Sequence, residues 1–103
     1  MGASRLSLHT EITEGLNIKN AYFQPPATIK MKYPCMIYSL SNAFIQHADD
    51  VTYLYTRRYQ LTYVTSNPDD SKIDEIPHHF KMCSFVRHFV SDNLNHYIYD
   101  LYY

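Results

Sequence analysis

Six histidines and two cysteines are among the side chains in this sequence that could bind a metal or act as a nucleophile. His78 and His79 are adjacent, and Cys83, His88 and His96 follow. Zinc sites space their ligands so that pairs share a turn or a helical face. Adjacent His78 and His79 diverge on most backbones. Cys83 and His88 differ in strand parity, which assigns them to opposite faces of a strand. That pattern predicts no metal centre, and by the same parity no Cys–His nucleophilic pair. No G-x-S-x-G turn is present either. Asp49-Asp50 and Asp69-Asp70 are the paired carboxylates that acid–base or divalent-metal work would use. Each pair falls in a predicted turn, where Asp is favoured for its own backbone hydrogen bonding. The expectation is a protein without an active site, cofactor or metal.

The elements that must carry these residues follow from periodicity. Leu8, Ile12 and Leu16 recur at helical spacing and predict a short helix over about Ser4 to Glu14, with Ser4 as N-cap and Gly15 as its stop. Asn20 to Phe23 reads as a short strand ended by Pro25-Pro26. Tyr33 to Leu40 reads as a strand buried on both faces, with Pro34 at its start or on an edge. Ala43 to His47 continues the sheet, Asp49-Asp50 makes a turn, and Val51 to Tyr55 begins the next strand. Arg58 to Thr65 alternates cleanly, with Tyr59, Leu61 and Tyr63 on one side. Ser66 to Ser71 is the most turn-rich segment, and a second helix of about Ser71 to Phe80 contains Pro77. A hairpin closes the chain. Its first strand, Cys83 to Val90, sets Phe85, Arg87 and Phe89 against Val86 and His88. Ser91 to Asn93 connects it to Asn95–Tyr103. The sum is one α+β domain over residues 1–103: a largely antiparallel or mixed sheet with two short helices packed on it.

Composition removes whole classes. The chain has 103 residues and only two glycines, Gly2 and Gly15, so no glycine-rich phosphate loop can form beyond residue 15. No apolar run approaches the length of a membrane helix, and the first residues lack a signal-peptide core. Cys35 and Cys83 accordingly read as reduced core residues. Nine basic against ten acidic residues, with a pI near 6.6, give no clustered basic face for a duplex. The only adjacent basic pair is Arg57-Arg58.

Eleven tyrosines are more than a small core needs, because each buried hydroxyl must find a partner. Tyrosine suits interfaces, so Tyr59, Tyr63, Tyr97, Tyr99, Tyr102 and Tyr103 are read as an assembly surface. Arg57, Arg58 and Arg87 are candidates for intersubunit ion pairs. Asn67, Asp69 and Asp70 lie in the Ser66–Ser71 loop, expected to project from the assembly, either into its lumen or toward a neighbour. Stacking of single-stranded nucleic acid on the sheet tyrosines is the rival reading.

Four segments resemble a family of small proteins from long-tailed bacteriophages: YFQPP (Tyr22–Pro26), KYPCMIY (Lys32–Tyr38), RYQLTYVTSNPDDS (Arg58–Ser71) and FVRHFVSDNLNHYIYDLYY (Phe85–Tyr103). They span the chain in order from about residue 20 to its end. The family is that of the tail terminator or tail-completion proteins, also called minor tail or head–tail joining proteins. It usually carries Asp where Val86 stands here. The resemblance implies a structural virion protein that forms a homo-oligomeric, hexameric ring at the head-proximal end of the tail. Such a ring ends polymerisation of the major tail tube protein and docks on the head–tail connector or neck protein. DNA passes through the lumen without sequence-specific binding, no membrane is involved, and assembly occurs in the host cytoplasm. Another neck component, a head-completion or adaptor protein, is the alternative.

Overall fold

A computed structural model describes residues 5–26, 29–48 and 51–103, and for 42–48 and 51–57 it describes the backbone only. Helix α1 (Arg5–Thr10) runs into a single π-turn (Glu11–Gly15), closed by the Leu16 N–H on the Glu11 carbonyl at 2.9 Å. The threonine hydroxyls account for the widening. Thr10 Oγ1 donates to the Leu6 carbonyl and Thr13 Oγ1 to the His9 carbonyl, competing with the α-helical ladder. Strand β1 (Ala21–Phe23), the long strands β2 (Cys35–Ala48) and β3 (Val51–Thr65), helix α2 (Lys72–His79), and strands β4 (Cys83–Ser91) and β5 (Leu94–Tyr102) follow. The expected N-cap Ser4 and the turn at Asp49-Asp50 lie outside the described residues.

The five strands form one sheet in the order β1-β2-β3-β5-β4. All neighbours are antiparallel except β1 and β2. The domain is thus α+β with a mixed sheet and two short helices. Alternation in β3 holds: Tyr59, Leu61 and Tyr63 face the helices, and register carries that face across the sheet. Tyr63 pairs with Met36 and Tyr97, Leu61 with Tyr38 and Tyr99, and Tyr59 with Leu40 and Leu101. Leu8, Ile12, Leu16, Ile18, Ile76 and Phe80 close over this face to make the core. The opposite face carries Ile37, Thr62 and Ile98, with an Arg58–Asp100 ion pair at 2.8 Å.

Two departures from the periodicity matter. First, β4 carries a bulge: Phe85 pairs with Tyr99 and Arg87 with Ile98, which leaves Val86 without a register partner. Parity is reset there. Phe85 shares the helix-side face with Cys83, whereas Arg87 and Phe89 lie on the open face, so the expected grouping of Phe85 with Arg87 and Phe89 is wrong. Cys83 and His88 in fact share a face. They stand opposite Leu101 and Tyr97. Those two positions are four residues apart on β5, which is roughly 13 Å along a strand. Cys83 and His88 remain apart through distance and not through parity.

Second, α2 keeps Pro77 inside its eight residues. A proline at that place has no N–H for the carbonyl four residues back, that of Ile73. The Tyr99 hydroxyl donates to the Ile73 carbonyl instead, at 2.9 Å. Asp70 serves the helix start in place of Ser71, its Oδ1 accepting the Lys72 N–H at 3.0 Å. The helical segment ends at Gly15 as expected, though not through a left-handed cap; the glycine leaves room for His79, whose Cε1 would stand 2.7 Å from a Cβ at that position. His79 Nε2 bonds Glu11 Oε2 at 2.7 Å and so ties α2 to the π-turn.

Candidate assembly surface

Register shows where the sheet stops being a sheet. Strand β1 pairs with β2 no further than Tyr38, and β5 reaches β3 no further than Arg58. Beyond that, β2 and β3 continue as a two-stranded arm, paired from Ala43–Arg57 to Ala48–Val51, with no partner strand on either edge among the described residues. Seven residues of strand are about 23 Å long, and the domain accordingly measures 49 × 27 × 24 Å. At the root of the arm, Gln24 Oε1 accepts the Leu40 N–H at 3.1 Å, capping β2 where β1 has ended. Leu40 itself is exposed, and the hydroxyl of its register partner Tyr59 is buried with no hydrogen-bond partner among the described residues. The far edge of the sheet is β4. Its Phe85, Val86, Phe89 and Val90 are 52%, 49%, 38% and 60% exposed.

The tyrosine-rich assembly surface predicted from composition is mostly core. Tyr59, Tyr63, Tyr97 and Tyr99 lie under the helices, so Tyr99 offers no partner contact from this fold. Two of their hydroxyls are satisfied inside the chain, Tyr99 on the Ile73 carbonyl and Tyr63 on Asp70 Oδ2 at 2.6 Å. Burial raises the pKa of Tyr63 and Tyr99 well above the ordinary phenol value, and for Tyr63 the Asp70 carboxylate adds to it. The same burial removes Tyr59, Tyr63, Tyr97 and Tyr99 as a stacking platform for nucleic acid. Tyr103 is half-buried, edge-on to Phe80, and its hydroxyl pairs with Ser7 Oγ at 2.8 Å. Tyr102 is half-buried on the open face, opposite Arg58.

Arg58 is engaged within the chain by Asp100, and Arg87 is exposed with its guanidinium 5.6 Å from the Phe89 ring centre. The side chain of Arg57, in the arm, lies outside the described residues. Asn67 and Asp69 are exposed, whereas Asp70 organises its own loop. It accepts from Tyr63, from Thr65 Oγ1 and from the Lys72 N–H, while Asn67 Oδ1 accepts the Asp69 N–H. This loop stands at the opposite end of β3 from the arm tip.

Among the described residues, the histidine side chains are each occupied locally. The His78 ring donates to the Asp74 carbonyl and the His96 ring to the Leu94 carbonyl. His88 stacks on Tyr97 and bonds Asn95, and His9 bonds the Tyr38 hydroxyl at 2.6 Å. Among the described residues, no three metal-ligating side chains come together. Burial pushes both thiols, Cys35 and Cys83, up to about 11, the state of packed and unreactive cysteines. No helix among the described residues is long and apolar enough to cross a membrane.

No protein-family model, curated protein or solved structure matches this chain. The features sequence reasoning missed are the arm's free edges and the apolar β4 edge. Pairing partners depend on strand order, which periodicity does not carry.

Proposed function

We propose that this chain is a structural protein of a tailed bacteriophage, forming a ring at the head-proximal end of the tail. The ring ends tube polymerisation and joins tail to head connector. Support comes from the four family-like segments and from one structural observation, the projecting β2–β3 arm. An isolated two-stranded ribbon is only marginally stable in water, and its two free edges are templates for pairing. The arm therefore takes its partners from outside its own domain. A contact between an arm and a different surface of the next subunit is head-to-tail, the geometry that closes rings. A near-neutral chain also suits a lumen through which DNA passes, because a tight hold needs many Lys and Arg contacts to phosphate.

The test compares the full chain with a variant in which residues 43–56 are replaced by a two-residue turn. Native mass and tube co-sedimentation are measured with and without purified tail tubes. The full chain should bind tube ends as a multimer. The shortened chain should stay folded, because the core seen among the described residues is built from side chains outside residues 43–56, and should lose tube-end binding. Undiminished binding by the shortened chain, or binding of oligonucleotides with a steep salt dependence in place of tubes, would overturn the reading.

A further inference from the structure

Natural edge strands are protected by charges, prolines or shortness. Strand β4 is nine residues long, and its exposed apolar side chains fall on both faces, Val90 with the helices and Phe89 away from them. Its outward backbone groups can be read from the hairpin. Ser91 and Leu94 close a two-residue connection. Both of its residues are left-handed, Asp92 at φ 53 and Asn93 at φ 63, as in a type I′ turn. The closing pair exchanges its hydrogen bonds, so Ser91, Phe89 and Arg87 point their N–H and C=O toward β5. His88 and Val90 point theirs outward, to no partner strand within the described residues. The bulge at Val86 ends the regular stretch, which leaves Arg87 to Ser91 with Phe89 at its midpoint.

We infer that β4 is a self-pairing edge: two copies of this chain join antiparallel through β4, about a two-fold axis at Phe89, into one ten-stranded sheet. Across that axis, His88 and Val90 of each copy exchange N–H···O=C bonds with Val90 and His88 of the other. Faces are conserved, as antiparallel pairing requires. Phe89 meets Phe89 as a non-hydrogen-bonded pair, the closer of the two antiparallel pair types. Its ring is already held in place, stacked at 4.6 Å on His96 with Arg87 alongside. On the other face, Val90 packs against the stacked His88 and Tyr97 rings of the second copy. Charge matches as well as shape. Arg87 stands opposite Ser91 of the second copy and beside its Asp92, and the symmetry makes that contact twice. This selects a second copy over an unrelated strand. The edge is separate from the arm, so the pairing does not depend on the ring reading.

Sedimentation of the purified chain without tubes should show a species of twice the 12.2 kDa chain mass that grows with concentration. Phe89→Glu sets two carboxylates face to face and should weaken that association at least tenfold. In a Cys83→Ser background, Phe89→Cys should form an intermolecular disulfide under oxidised glutathione, because about 4.5 Å between Cα atoms suits the bond. His88→Cys, which faces Val90, should not. A wild-type chain that stays monomeric at all concentrations overturns the proposal. So does equal cross-linking at position 88, or a larger assembly in which the thiol introduced by Phe89→Cys remains reduced, since β4 would then receive some other occupant.

Discussion

Tyr99 and Pro77 should behave as one unit, and replacing each alone and both together tests it. In the native chain the Tyr99 hydroxyl is the donor that supplies the Ile73 carbonyl, which Pro77 deprives of its helical N–H. Tyr99 is only 1% exposed, so water does not replace the lost hydroxyl. Tyr99→Phe leaves a part-buried carbonyl unpaired, and the cost should be about 1–3 kcal/mol. In a Pro77→Ala background the alanine N–H reaches the same carbonyl by ordinary helix geometry, and the cost of Tyr99→Phe should fall to about 1 kcal/mol or less. The interaction energy between the two changes should therefore be about 1–2 kcal/mol, within the range found for residues that share one hydrogen-bonding group. Urea unfolding of the four proteins, followed by far-UV circular dichroism, measures it directly. In thermal unfolding, each kcal/mol shifts the midpoint of a domain this size by roughly 4–8 °C. Equal cost of Tyr99→Phe in both backgrounds, within about 0.5 kcal/mol, would refute the coupling and with it this account of why the proline is tolerated.

Gly15→Ala should displace the His79 ring, since a Cβ there would lie 2.7 Å from it. The ring is a movable side chain, so total stability should change by no more than about 1 kcal/mol, within the range of a partly exposed pair. The sign of the mechanism is in the cycle: His79→Ala should cost about 0.5–1 kcal/mol in the native chain and nothing measurable in the Gly15→Ala background, and a persistent cost would show that the pair survives. Alkaline pH should also destabilise the fold. Burial raises Cys35 and Cys83 from 9.0 to about 11 and lifts Tyr38, Tyr63, Tyr97 and Tyr99 above 10.0. The unfolded chain thus loses these protons first and binds fewer than the native one, so stability is intact below about pH 9 and falls above it. Each group contributes a slope of up to about 1.4 kcal/mol per pH unit. Urea midpoints that stay level from pH 8 to pH 11 would contradict this.

Local order was readable wherever side-chain period and backbone period agree. The alternation of Tyr59, Leu61 and Tyr63 assigned β3 its buried face, and the Leu8, Ile12 and Leu16 stripe assigned the first helical segment its own, because burial on one side imposes the repeat itself. Glycine scarcity excluded phosphate loops for a reason internal to the residues, the need for bare backbone. The destinations of polar groups were decided by tertiary structure alone. The tyrosines read as an outer surface because no acceptor for their hydroxyls is visible along the chain. The acceptors, Asp70 for Tyr63 and the Ile73 carbonyl for Tyr99, arrive only when the loop and α2 fold over the sheet. Likewise, one bulged residue at Val86 reverses every facing that strict alternation assigns beyond it, and a bulge is defined by its partner strand. Among the described residues, strand order then leaves β4 and the arm with open edges. Edges are properties of neighbours, which no stretch of sequence contains by itself.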